Sequence, residues 1–222
     1  HKKYLNDYFQ GYTGESNSRG VLYNEDPVTG DARFCATTAS MCGIESAGFE
    51  QNEEKKKRAV RFDLMLHAYM MVQSGIPMLY SGDEIGQVND YTYKNDPEKR
   101  VDSRYIHRGK FDWKLADGRK RKGTVQKELF DGIGKLRSIR SKEKVFDASA
   151  NVWTLDTWEN GILGVVRELA GEQMTALFNF AEEDRTAWIE KEGEYMDLYT
   201  GKKVSLQAIK MEGHSFVLAK KC

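Results

Sequence analysis

The most constraining feature of this 222-residue chain is a helical run that is apolar on nearly every face and is followed at once by a short, continuous apolar segment. Asn52 is a helix-capping residue type, Glu53 and Glu54 suit the positive end of a helix, and Gly75 stops the run, so the pattern predicts a helix from 53 to about 74. Within it Phe62, Leu64, Met65, Leu66, Ala68, Met70, Met71 and Val72 cover almost the whole circumference, which demands neighbours on several sides. Ile76-Pro77-Met78-Leu79-Tyr80 then reads as a parallel strand buried on both faces, with Pro77 tolerated near its beginning. A helix, a tight turn, a buried strand and the polar loop Ser81-Gly82-Asp83-Glu84 follow in the order of an α/β barrel unit, where strand C-terminal ends carry chemistry.

On either side of this block the pattern changes. The first 51 residues are turn-rich, with Gly11, Gly14, Gly20, Asn24, Asp26-Pro27 and Thr29-Gly30-Asp31 separating short apolar pieces, and read as a loop-rich insert. Residues 88–124 form a long, polar, aromatic-bearing stretch of the kind that is functional or disordered in compact domains. Val125, Leu129, Ile133 and Leu136 predict an amphipathic helix ending near Ser141. From Val152 the period becomes two, and residues 152–155, 162–166, 174–180, 186–189, 195–199 and 216–219 are strand candidates of an antiparallel β-sandwich. The expected architecture is α+β and multidomain, divided as 1–51, 52–144 and 145–222.

Composition excludes several function classes. Apolar residues make up 40% of the chain, too many for disorder. Thirty-four basic and 34 acidic side chains cancel overall, but the net charge is −4 over residues 1–93, +9 over 94–144 and −5 over 145–222. The basic run Arg119-Lys120-Arg121-Lys122 lacks interleaved aromatics and lies between Gly118 and Gly123, so it reads as a solvated loop and no nucleic-acid partner is expected. No apolar stretch approaches the roughly 18 residues of a membrane span; the best, residues 64–72, is interrupted by His67. No apolar leader follows His1-Lys2-Lys3, and a cytoplasmic location is expected. Cys35, Cys42 and Cys222 show no CxxC or Cys/His spacing, which predicts reduced thiols without a disulfide framework or zinc site. GxGxxG, Walker and EF-hand patterns are absent, so neither cofactor nor metal is expected.

The block Gly75-Ile76-Pro77-Met78-Leu79-Tyr80-Ser81-Gly82-Asp83-Glu84-Ile85-Gly86 resembles the eighth barrel strand and following turn of the α-amylase superfamily of glycoside hydrolases. Arg19-Gly20-Val21, Pro27-Val28-Thr29-Gly30-Asp31-Ala32-Arg33 and Asp102-Ser103-Arg104-Tyr105-Ile106-His107-Arg108 narrow the resemblance to amylosucrases, through the insert after strand 7 and the loop after strand 8. It implies the C-terminal end of a (β/α)8 barrel followed by a β-sandwich, and a retaining reaction on sucrose or an α-glucan. Such chemistry uses a nucleophilic carboxylate and a carboxylic acid about 5 to 5.5 Å apart. In the family these two groups, and a His-Asp pair that grips the sugar, precede the region this chain resembles. No catalytic residue is therefore assigned here, and the chain alone is expected to be inactive.

Two local patterns imitate a catalytic site. Arg61-Phe62-Asp63 with His67 looks like an Arg-x-Asp nucleophile motif, but only 12 residues separate Asp63 from Ile76, too few for the intervening strands, so these read as ordinary helix polarity. Asp83 and Glu84 are adjacent on an extended segment, point apart and are expected to anchor the turn. The resemblance implies that Arg104 seals the floor of a glucose pocket by pairing with a carboxylate of an earlier loop, a contact that suits a guanidinium fork. By the same resemblance Arg19 and Arg33 line the acceptor side, with His107 and Arg108 as further candidates. Trp158 precedes a turn and is the candidate for stacking on a sugar ring, whereas Trp153 and Trp188 fall within apolar alternation and are expected in the core.

Two other functions fit the same residues: a noncatalytic glucan-binding module made chiefly of the β-sandwich, and part of a generic α-amylase or α-glucosidase. The expected partners are sucrose or an α-glucan in the full enzyme, and either the upstream barrel portion or a second copy of the chain to cover the apolar helix and strand.

Overall fold

A computed structural model describes residues 1–222, which divide into two compact units: residues 1–63 with 79–130, and residues 64–78 with 131–222. In the first, α1 (Lys2–Gln10) ends at Gly11 in the left-handed conformation (φ 80°). A short antiparallel hairpin follows, β1 (Val21–Tyr23) and β2 (Arg33–Cys35), pairing Val21 with Cys35, Leu22 with Phe34 and Tyr23 with Arg33. Its turn is organised by Asp26, whose Oδ1 accepts the N–H groups of Val28 and Thr29 at 2.8 and 2.7 Å. The turn residues of the first 51 positions thus delimit short elements, which continue with α2 (Thr38–Met41) and α3 (Ile44–Phe49).

The long helix α4 (Glu53–Val72) starts where its cap places it, with Asn52 Oδ1 accepting the Lys55 N–H at 3.0 Å. Asp63 and His67, expected as ordinary helix polarity, are instead buried on it. The 88–124 stretch is ordered by aspartates: Asp90 and Asp102 each head a 3-10 turn (Tyr91–Asn95 and Ser103–His107), and Asp112 caps α5 (Trp113–Ala116). Lys120, Arg121 and Lys122 are solvent-exposed. α6 (Val125–Lys142) follows the predicted amphipathic span.

Residues 76–80 do not form the expected buried strand. They form no strand and have no ladder partner, with Ile76 88% and Met78 78% exposed. The reason is physical: a parallel strand obtains its hydrogen bonds only from neighbouring parallel strands, and every ladder in this chain is antiparallel.

The second unit is mainly antiparallel sheet with helix against it. Its strands are β3 (Asn151–Leu155), β4 (Ile162–Leu169), β5 (Glu172–Asn179), β6 (Arg185–Ala187), β7 (Tyr195–Asp197), β8 (Lys202–Val204), β9 (Ile209–Met211) and β10 (Phe216–Lys221). Six of them form one sheet in the order β3-β4-β5-β10-β7-β8, and β6 pairs with β9 in a second. Ile162, Leu177, Tyr195 and Ala219 of the large sheet share one apolar cluster with Ala187, Ile209 and Met211 of the small one. Alternation turns Phe178 to the other face, where the Tyr69 ring meets it edge-on at 5.5 Å. Arg167 is fully buried there: Nε donates to the Val145 carbonyl at 2.7 Å, Nη1 to Val72 at 2.9 Å and Nη2 to Asp147 at 3.2 Å. Arg140 donates to the carbonyls of Met71, Gln73 and Gly75, so two guanidiniums satisfy the orphan C-terminal carbonyls of α4 and fix how the chain leaves it.

Trp153 and Trp188 depart from the expected core positions. β3 is an edge strand with a neighbour on one side only, which leaves Trp153 42% exposed. Trp188 lies between the inward-facing Ala187 and Ile189 and is turned out, 54% exposed. No helix of the chain is long and apolar enough to cross a membrane.

Candidate functional site

The site residues of the first unit gather where the hairpin meets the 102–108 turn. Ser103 Oγ donates to the Leu22 carbonyl at 2.8 Å, and Ile106 is buried with Cys35 and Tyr93 against Val21, Tyr23 and Tyr105. Asp102 organises this turn by accepting the Arg104 N–H on Oδ1 at 3.0 Å. The same carboxylate receives the Arg104 side chain: Nε lies 2.9 and 3.1 Å from its two oxygens and Nη2 lies 2.7 Å from Oδ2. Arg104 therefore does pair with a carboxylate in a fork, but with its own neighbour two residues back and not with one from an earlier loop. Its guanidinium also lies 4.4 Å over the Tyr23 ring, a cation–π contact that keeps the group flat against the hairpin. The hydrogen bonds from Arg104 hold the Asp102 carboxyl down at about 2, and the same pairing raises the guanidinium.

Arg33 is cross-strand partner to Tyr23, so its side chain leaves the hairpin on the same face as Arg104, and it is exposed. Arg19 is placed differently. Its Nη1 donates to the carbonyls of Ser16 and Ser18 at 3.3 and 2.8 Å, which makes it a staple of the turn before β1. His107 meets the Tyr80 ring edge-on at 5.7 Å, with its Nδ1 buried and unpaired. Burial, then the nearby Arg108, pushes this imidazole below its ordinary pKa, so the neutral form is favoured. Arg108 itself lies over the Tyr105 ring at 5.7 Å.

The turn that follows Tyr80 is locked by its own carboxylates. Asp83 Oδ2 accepts the Tyr80 N–H at 3.0 Å and Glu84 Oε2 accepts the Gly82 N–H at 3.1 Å, the anchoring role expected of the pair. Gly82 (φ 102°) and Gly86 (φ 62°) supply the left-handed residues the turn needs.

A second set of supports has no signature in sequence beyond polar residue type. Asn89 Oδ1 accepts the Thr37 N–H at 2.8 Å, its side-chain amide donates to the Arg19 carbonyl at 2.9 Å and its backbone N–H donates to Ser40 Oγ at 2.8 Å. The Glu45 carboxylate receives both Ser40 Oγ, at 2.5 Å, and Tyr91 Oη, at 2.8 Å. Burial pushes the Tyr91 phenol up to about 12, so it remains a donor. Asp90 N–H meets the Ile106 carbonyl at 2.8 Å and ties this network to the Arg104 turn.

The opposite face of the hairpin, carrying Leu22 and Phe34, borders a cleft of about 260 Å³ against α1, lined also by Leu5, Asn6 and Phe9. Lys2 and Asp31 bridge its rim at 2.6 Å. Trp158, the stacking candidate, lies in the second unit and is 68% exposed.

No protein-family model matches the chain. A curated protein, glucosylglycerate phosphorylase of Escherichia coli (strain K12), is 26% identical over 129 residues, which cover 57% of this chain and 22% of that protein. The match thus spans about a fifth of the relative's length. Solved structures similar to the chain are α-amylase-family enzymes. The trehalulose synthase MutB from Pseudomonas mesoacidophila MX-45 superimposes with a TM-score of 0.56 at 15% identity, over 72% of this chain and 38% of that one. A variant of AmyP in complex with maltotriose gives 0.58 at 15% identity, over 73% and 35%. An Anoxybacillus α-amylase gives 0.50 at 21% identity, over 74% and 33%. The chain therefore shares its fold with part of these enzymes.

Proposed function

We propose that this chain is the C-terminal portion of a retaining α-amylase-family enzyme that transfers or hydrolyses a glucosyl group of sucrose or an α-glucan, contributing the last barrel strand, the loop that closes the sugar pocket and the C-terminal β-domain. The observation that carries the reading is the segment 76–80. It is apolar, exposed and without a ladder partner, yet it ends in a turn held by Asp83, Glu84 and two left-handed glycines, with His107 of the Arg104 loop packed on Tyr80. A chain that builds so defined a strand end without strand partners is shaped to receive them. The fold shared with α-amylase-family enzymes and the curated relative that handles a glucosyl compound support the same reading.

On this reading the paired carboxylates of a retaining mechanism come from the upstream part of the enzyme. Asp83 and Glu84 each commit an oxygen to a backbone N–H of their own turn, and no activity is expected from the 222 residues alone. Sucrose as the substrate rests on the amylosucrase-like stretches around Arg19, Arg33 and Arg104. Within the completed site, the Asp102-held guanidinium of Arg104 would present its remaining N–H donors to sugar hydroxyls.

The test is fructose and glucose release from sucrose and from maltoheptaose. The chain is assayed alone and as a replacement for the matching C-terminal part of the trehalulose synthase, with and without inorganic phosphate as acceptor. The expected result is inactivity alone and turnover in the chimaera. Turnover by the chain alone, or a folded chimaera that is inactive on both sugars, would overturn the reading.

A further inference from the structure

Trp158 stands out on the second unit because its backbone and its side chain are both held in costly states. Its φ of 53° is in the left-handed region, where a bulky L-residue is strained and glycine is the residue type that fits. The strain is imposed locally: the Trp158 N–H is fixed on Asp156 Oδ1 at 2.8 Å, and the preceding Thr157 is buried with its hydroxyl on the carbonyls of Glu159 and Ile162 at 3.0 and 2.8 Å. Nothing in the fold repays it, since the indole is mostly in water and takes no part in the ring pairs of this unit.

A second exposed indole is tied to the same loop. The Trp188 N–H donates to the Thr157 carbonyl at 2.9 Å, so Trp188 and Trp158 flank one buried threonine, on rigid backbone, both turned outward. The surrounding charge narrows what could cover them. The flanking side chains are Asp156, Glu159, Asn160 and Glu190. Arg185 is balanced by Glu159 and Glu183 at 3.5 and 3.4 Å, and the Lys191 ammonium, held on the neutral Gln173 and Thr175 at 2.7 and 3.0 Å, is outnumbered by Asp156, Glu190 and the second of that carboxylate pair. An acidic surround of this kind repels a phosphate backbone or an anionic membrane. Flat apolar rings rimmed by carboxylate and amide acceptors suit a neutral ligand that offers C–H faces and hydroxyls together.

We infer that Trp158 and Trp188 form a saccharide-binding surface that takes a neutral glucan chain by stacking on both indoles. That the glucan is α-linked rests on the function proposed above.

Native electrophoresis of the 222-residue chain in gels containing amylose, and in gels containing a soluble β-glucan, tests it. Retardation by amylose is expected, weakened about tenfold or more in Trp158→Ala and in Trp188→Ala. Trp158→Gly separates binding from structure: relief of the left-handed strain predicts a melting temperature no lower than the parent's together with lost retardation. Absence of retardation in both gels, or retardation unchanged in the double alanine variant, overturns the inference and leaves the barrel-end reading untouched. Retardation by the β-glucan alone, lost in the variants, supports the surface and counts against the α-glucan reading.

Discussion

Asp102 and Arg104 hold each other from positions two apart in one short turn, with three side-chain hydrogen bonds between 2.7 and 3.1 Å plus the Arg104 N–H. The turn is the reason: a 3-10 cap places a carboxylate over the N–H two residues on, and the guanidinium of that same residue can fold back onto it. Because the folded-state pKa of Asp102 lies below the ordinary carboxylate value, the clasp contributes to stability above about pH 4 and is lost as the pH falls toward about 2. Carbon-13 NMR should find the Asp102 carboxyl titrating near 2, moving up toward 4 in Arg104→Ala. A midpoint near 4 in the parent would show that the clasp does not persist in solution.

Arg167 is a buried cation held by three backbone carbonyls and, at 3.4 Å, by the Ser74 hydroxyl. Replacing it by Met preserves volume but leaves the buried carbonyls of Val72 and Val145 without their donor, while Asp147 keeps the Ala150 N–H, a loss of about 3 kcal/mol in denaturant unfolding. Arg167→Lys keeps the charge but cannot serve three carbonyls with a planar fork, and should recover only part of this. Equal stability of parent and Arg167→Met would mean that water replaces the guanidinium at the end of α4.

What the sequence made legible follows from how local each determinant is. The Asn52 cap, the 125–142 amphipathic repeat and the Asp83–Glu84 turn need only neighbours a few residues away, and all three form as expected. The 76–80 segment has a strand composition, but a strand exists only in its ladder, and no parallel partner lies within the chain. Trp153 and Trp188 show the limit of alternation: period two says that a side chain alternates between faces, not which face is covered, and Trp153 is bared by the edge position of β3 while Trp188 falls on the face opposite the buried Ala187 and Ile189. β8 and β9 have three residues each, too few for a period of two to announce them. The Asn89–Ser40–Glu45–Tyr91 network joins positions up to about fifty residues apart, and single polar residues carry no sign of such pairing.

Gly86 and Gly123 make a controlled pair. Both are left-handed, φ 62° and 78°, but a Cβ on Gly86 would lie 2.7 Å from Leu129 Cδ1 and 3.3 Å from Val125 Cγ1, while Gly123 faces open space. Gly123→Ala should cost only the conformational penalty of about 1 kcal/mol. Gly86→Ala adds overpacking against the start of α6 and should cost about 2 to 4 kcal/mol in all. Thermal unfolding of the two variants reads the difference. Equal losses would mean that the turn after residue 80 moves freely against α6, contrary to the rigidity on which the proposed strand end depends.

The exposed 76–80 segment sets the solution behaviour of the chain. An exposed apolar stretch whose backbone N–H and C=O groups are free over residues 76–79, lacking a donor only at Pro77, is a template for pairing with another chain. Sedimentation velocity should therefore show the 222-residue protein associating as its concentration rises. Ile76→Lys with Met78→Lys should hold it monomeric, because charge on a strand edge opposes edge-to-edge pairing. Both positions are already in water, so the double variant should keep the parent's melting temperature. The same substitutions in the chimaera should abolish turnover, since there they would bury two lysines in a closed sheet. If the parent stays monomeric and the lysine chimaera remains active, residues 76–80 are not a strand awaiting partners, and the barrel-end assignment falls with them.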